Sequence, residues 1–165
     1  MPHRTLLAVA TIASALLVSA CADLPKSSDT AAGHAAHAHG SATDTRQLVK
    51  FPEEMRVGTL ANMRDHLLAL GQIQSALAAE KYAEAAEIAE NRLGMSSLKL
   101  HGAHDVANFM PQGMQDTGTL MHRTASRFAI QAQNASATGD VKPALAELGQ
   151  LTQACVACHA GYRLQ

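Results

Sequence analysis

Tryptophan is absent from this chain of 165 residues, and the other aromatics amount to two tyrosines and three phenylalanines. Alternation of β-branched and polar residues is also missing, which leaves no pattern for a half-buried strand. Neither sign of charge dominates: 13 basic residues stand against 14 acidic ones. The basic residues are not clustered, which excludes the electrostatic footprint of a nucleic-acid binder. Cysteine is scarce, with three in all. Each of the three has another use, given below, so no disulfide is expected. What remains in abundance is alanine, leucine and methionine in helical spacing.

The ends of the chain are the most distinctive parts. His3 and Arg4 give a short positive start, Leu6 to Val18 an uncharged apolar run, and Ser19-Ala20-Cys21 a small-residue close. This is the layout of an export signal. The run is shorter than the roughly 20 apolar residues that a membrane-spanning helix needs. Val18-Ser19-Ala20-Cys21 resembles the bacterial lipobox. That resemblance implies cleavage before Cys21 and lipidation there, hence a membrane association through a lipid anchor only. Stable anchoring takes more than one acyl chain. Ala22 is not the aspartate that favours inner-membrane retention, so the periplasmic face of the outer membrane is the preferred address. The simpler alternative is ordinary signal cleavage with Cys21 left as a free thiol.

Seven residues from the other end stands Cys155-Val156-Ala157-Cys158-His159. Two thiols three apart with a histidine directly after the second are the attachment signature of c-type haem. The thiols add to the porphyrin vinyl groups, and the imidazole takes one axial position on the iron. On a helix, positions i, i+3 and i+4 share a face, so all three side chains address one disc. A redox dithiol would be expected near a βαβ pattern, and a zinc site would require a second ligand pair at matching spacing. Neither is found.

The composition divides the chain into a signal peptide, 1–20; a tether, 21–50; and a helical domain, 51–165. The tether is rich in Ala, Ser, Thr and Gly and carries His34, His37 and His39. These read either as a weak metal-binding tract or as solvated linker residues, and the lack of supporting structure around them favours the latter. From Phe51 onward the chain reads as four helices. The first starts near Pro52, with Glu53 and Glu54 favourable to its dipole. Its predicted core stripe is Leu60, Met63, Leu67, Leu70 and Leu77. The second runs near Lys81 to Arg92, alanine-rich, with Gly94 as its stop. Gly94 to Gly113 reads as a long connection. The third covers about Met114 to Ser136, with Met114, Met121 and Phe128 at heptad spacing, and Gly139 breaks it. The last opens at Asp140, with Pro143 in its first turn. Its stripe is Leu145, Leu148, Thr152, Cys155, His159 and Tyr162. The expected fold class is all-α, an antiparallel four-helix bundle with covalently bound haem.

These residues together resemble the cytochrome c-prime family of bacterial haem proteins. The likeness spans about Phe51 to Gln165 and is strongest at its two ends. Cys155 to Arg163 looks like the family's haem helix, including an arginine four residues beyond the ligand histidine. In the first helix Arg56, Leu60, Met63 and His66 fall at the family's spacing. The resemblance implies one haem c, held through Cys155 and Cys158, with His159 as the proximal iron ligand. It further implies a propionate contact from Arg56, a distal cap from Leu60 and a neighbour of the proximal imidazole in Arg163. It also implies a possible homodimer through the first two helices.

A leucine cap has no donor atom, so the iron would be five-coordinate, with an apolar open side suited to nitric oxide or carbon monoxide. A shifted register would instead offer a methionine sulfur, from Met63 or the less well-aimed Met55, giving six-coordinate iron. His101 and His104, in the long connection, are without a counterpart in the family. They read as exposed loop residues or as ligands of iron or of a second metal. His66 and His122 carry no functional expectation. The functional expectation is periplasmic single-electron transfer between unidentified redox proteins, with binding of a diatomic gas as the alternative. An enzymatic role such as peroxidase is not expected, because it needs a distal base and His66 lies too far along the helix from Leu60.

Overall fold

The computed structural model describes residues 43–165, which form one compact unit, Thr43–Gln165. The signal, Cys21 and the tether histidines His34, His37 and His39 lie outside the described residues. The described chain is mostly helical. Its elements run β1 (Gln47–Val49), α1 (Glu53–Ala78), α2 (Tyr82–Arg92), a single 3₁₀ turn (Met95–Ser97), α3 (Ala103–Ala107), α4 (Gln112–Thr138), α5 (Lys142–Gly161) and β2 (Tyr162–Leu164). None of these helices is long and apolar enough to cross a membrane.

Local chemistry sets most of the boundaries. Pro52, with φ −52° and ψ 143°, stands at the head of α1, and Glu53 and Glu54 occupy the first turn, where the exposed N–H groups favour negative charge. Gly139 adopts φ 76° and its N–H reaches the Ala135 carbonyl at 2.8 Å, closing α4 in the left-handed form that glycine takes without steric cost. At the α1–α2 corner the same job falls to Glu80, with φ 57°. Its N–H bonds Leu77 O at 3.1 Å, and Lys81 N bonds Ala76 O at 2.8 Å. At the end of α2, Gly94 N bonds Ala89 O at 2.7 Å. A Cβ there would sit 2.8 Å from the Glu90 carbonyl oxygen, so the chain can pass this closely only as glycine.

The four long helices share one core. Ala69, Ile73 and Ala76 of α1, Ala85, Ala86 and Ala89 of α2, Ala125, Phe128 and Ala132 of α4, and Ala144, Leu151 and Ala154 of α5 are buried together. α2 packs against α1 and α4, and α4 packs most extensively against α5. Alanine dominates because it lets helix backbones approach closely, while Ile73, Phe128 and Leu151 fill the volume that remains.

The structure revises several expectations. The buried side of α1 is Thr59, His66, Ala69, Ile73 and Ala76, and Leu67 is 71 % exposed. The predicted leucine stripe is thus rotated toward one flank, with Leu60, Met63, Leu70 and Leu77 half-buried along it. α5 is offset in the same sense. Its buried side is Ala144, Leu151 and Ala154, while Leu148, Cys155 and Cys158 form a half-buried flank and Leu145 and Thr152 are exposed. Gly113 lies inside α4 rather than in the connection, and the connection holds the 3₁₀ turn and α3. α5 begins two residues after Asp140, whose Oδ1 accepts from Lys142 N–H at 3.1 Å. Two strands appear where none was expected. β1 pairs in parallel with β2, Gln47 opposite Tyr162 and Val49 opposite Leu164. The segment just before Phe51 therefore belongs to the compact unit, with Val49 buried.

Candidate functional site

α5 carries Cys155, Cys158 and His159 in its last two turns, one helical face at i, i+3 and i+4. Both thiols are free and half-buried. Cys155 packs against the main core. Cys158 packs against a second, smaller cluster of Val49, Phe51 and Met114, which Met55, Met110, Tyr162 and Leu164 also border. Burial pushes both thiols above their ordinary range, and the neighbouring Cys155 adds to the rise at Cys158. His159 is exposed, and its carbonyl accepts from Arg46 Nη1 at 3.4 Å.

The other residues singled out from the sequence divide into those near this cluster and those apart from it. Met55, expected to be the less well aimed of the two methionines, borders the same cluster as Cys158. Leu60 and Met63 are half-buried and belong to neither cluster. Next to Leu60, Thr59 is buried and its Oγ1 has no hydrogen-bond partner. Arg56 donates from Nε and Nη2 to the two Glu53 carboxylate oxygens, each at 2.8 Å. Arg163 lies in β2. Its Nε is buried without a hydrogen-bond partner, with Asp44 Oδ2 standing 3.5 Å away. Asp44 itself is held at about 2 by hydrogen bonds from Arg46.

The donor set fits a covalently attached haem. Two free thiols and an imidazole share one helix face, the thiols are half-buried among apolar neighbours, and the Arg163 guanidinium stands nearby, ion-paired with Asp44. A shallow surface groove lined by Lys81, Tyr82, Glu84, Ala135 and Gly139 lies by the start of α5, at the opposite end of that helix from the thiols.

The histidines of the connection part company. His104 is 97 % exposed, as a loop residue would be. His101 folds back onto the bundle and meets two helical histidines that sequence reasoning left without a role. Its Nδ1 lies 3.4 Å from His66 Nε2 of α1. The ring centroids are 4.7 Å apart for His66 and His101, 5.8 Å for His101 and His122, and 6.0 Å for His66 and His122. His122, on α4, shares a 2.8 Å hydrogen bond through Nδ1 with the Leu93 carbonyl, so Nδ1 carries the proton and Nε2 the lone pair. Asn62 Nδ2 donates to the His101 carbonyl at 3.1 Å and holds the connection against α1. Burial is the main reason that all three imidazoles resist protonation, and His66 falls to about 4. No sequence signal marks this grouping beyond the three residue types, because each comes from a different element.

No protein family, curated protein or solved structure matches the chain.

Proposed function

We propose that this chain is a c-type cytochrome with one covalent haem, a single-electron carrier of the bacterial periplasm, built as a four-helix bundle of the cytochrome c-prime kind. The observation that carries the reading is the placement of Cys155, Cys158 and His159 on one face of α5, thiols free and half-buried against apolar side chains. The half-covered flanks agree with it. Leu60 and Met63 on α1, and Leu148 and Cys155 on α5, are apolar positions that the alanine core does not fully cover. A porphyrin is an apolar plate of the size that would complete such flanks, at about 25 cal/mol per Å² of surface removed from water.

Bound haem supplies reversible one-electron chemistry at iron. The protein's part is to fix and tune it. Cys155 and Cys158 would hold the ring edge through thioether bonds, and His159 would bind the iron. Their position in the last two turns of a packed helix limits movement on electron exchange. Arg163, whose Nε makes no hydrogen bond and only a long ion pair with Asp44, is the residue best prepared to meet a propionate. Arg56 would have to exchange its Glu53 contact to do so. Met55, beside the same apolar cluster as Cys158, is the leading methionine for a sixth ligand. The lipobox residues and Cys21 support a lipid anchor on the periplasmic face of the outer membrane.

Binding of nitric oxide or carbon monoxide is the second reading, favoured by Leu60, a half-buried side chain with no donor atom. Two measurements decide. Intact mass of the purified mature chain should show one added haem, lost in Cys155→Ala/Cys158→Ala; an unmodified mass from cells with a working haem-attachment system defeats both readings. A spectrum of reduced protein under carbon monoxide then separates them. An unchanged Soret band leaves electron transfer, and a rapid shift that quickens in Leu60→Ala supports gas binding.

A further inference from the structure

We propose that His66, His101 and His122 form a binding site for one divalent transition cation of the zinc class, which staples the long connection onto the bundle. Three imidazoles from three separate elements, α1, the connection and α4, are brought within ring contact of one another. Imidazole nitrogen is the ligand that zinc(II), copper(II) and nickel(II) share.

The spacing suits a cation. With metal–nitrogen bonds of about 2.0–2.1 Å in tetrahedral geometry, ligand nitrogens stand about 3.3 Å apart and ring centroids about 5.2 Å apart. The His66–His101 nitrogens stand 3.4 Å apart. The three centroid separations, 4.7, 5.8 and 6.0 Å, bracket the ideal. Among the described residues no group of three His, Cys, Asp or Glu side chains stands already arranged to hold a metal ion, so the site needs a closing movement. The closing movement falls on His122, whose ring must come in by roughly 0.7 Å, within reach of small side-chain rotations.

The surroundings are also suitable. Metal-binding imidazoles are neutral and hydrogen-bonded through the second nitrogen to a carbonyl or carboxylate. His122 has that bond through Nδ1 to Leu93 O, which leaves Nε2 as the free donor. Burial keeps His66 neutral far below physiological pH. Asp65, next in sequence to His66, is ion-paired with Arg92, and His66 feels both charges. Without a metal, the His66–His101 contact through His101 Nδ1 is one long hydrogen bond. His66 and His122 are buried and His101 is half-buried, and imidazoles with so few hydrogen bonds are costly to desolvate, a cost that a shared cation offsets. The fourth position would go to water or to Ser97 Oγ, which stands 3.4 Å from His101 Nδ1.

This inference is independent of the haem. Its test is zinc(II) titration of the mature full-length chain by calorimetry, in a His34→Gln/His37→Gln/His39→Gln background that removes the tether histidines. One equivalent should bind and raise the melting temperature. His101→Gln should weaken binding by at least about 100-fold, because loss of even an outer-shell partner costs 10–100-fold. His104→Gln, at the exposed neighbour, should leave it unchanged. If His66→Gln or His122→Gln disturbs folding, seen as lost helicity by circular dichroism, the His101/His104 pair still decides. Absence of one-equivalent binding in the background, or equal binding by His101→Gln, overturns the proposal. Haem content, read by mass on the same samples, reports separately on the cytochrome reading.

Discussion

Two chemically identical substitutions should have opposite consequences, because only one of them meets Tyr162. Gly149 and Gly113 both lie in long helices. An added Cβ at Gly149 meets nothing within 4 Å. Glycine costs a helix interior about 0.5–1 kcal/mol relative to alanine, so Gly149→Ala should stabilise by that amount. For a domain of this size the gain is roughly 2–4 °C in Tm. At Gly113 the added Cβ would stand 2.6 Å from Tyr162 Oη, with the next ring atom, Cζ, at 3.9 Å. The phenol must withdraw by nearly 1 Å from a cluster that includes Phe51, Met114 and Cys158. That loss, of order 1 kcal/mol, cancels or reverses the helix gain. Gly113→Ala should therefore be neutral to about 1 kcal/mol destabilising. The obstacle is a single oxygen, so Tyr162→Phe should remove it. In that background Gly113→Ala should regain stability, giving a coupling of about 1 kcal/mol in the four-variant cycle. Urea denaturation followed by far-ultraviolet circular dichroism measures all four. If Gly113→Ala stabilises as much as Gly149→Ala, or if Tyr162→Phe leaves it unimproved, the close packing of Tyr162 on α4 is wrong.

Leu151→Ala, at a fully buried site in α5, should destabilise by about 2–5 kcal/mol in the same assay. Glu80→Gly should stabilise by about 0.5–1 kcal/mol, since glycine adopts the left-handed corner at φ 57° without the steric cost a side chain incurs; a loss of stability would show that the Glu80 side chain makes a compensating contact. In chain lacking haem, the raised thiols predict that Cys155 and Cys158 react with iodoacetamide more slowly than an unfolded control at pH 8. The linkage has a definite sign. The folded state holds thiol protons that the unfolded chain releases near 9.0, so stability is complete below that pH and declines as pH rises through it. Equal alkylation rates in folded and unfolded chain would contradict the burial.

The helices were legible because their signals are local. Pro52 with two glutamates marks the head of α1, Gly139 the end of α4, and the heptad of Met114, Met121 and Phe128 lies on the buried face as its spacing predicts. The leucine stripes of α1 and α5 misled by about one residue's rotation. Hydrophobicity alone favours leucine over alanine at the core, whereas close helix packing favours alanine, so Ala69, Ala76, Ala144 and Ala154 took the centre and Leu67 and Leu145 the outside. β1 and β2 have three residues each, too few to show a period of two, and their pairing joins opposite ends of the domain. The spacing that puts Cys155, Cys158 and His159 on one face of α5 was evident from the sequence. The histidine cluster was not, since His66 and His101 are 35 positions apart and meet only when the connection folds back.

The pairing of Gln47–Val49 with Tyr162–Leu164 has a temporal consequence. A seam between two strands at opposite ends of the helical unit closes only after Leu164 has been made. Until then Cys158 lacks the shelter of Val49 and Phe51, and its thiol stays open to solvent. The fold thus leaves that thiol uncovered until β2 joins β1, then half-covers it with residues made well before it.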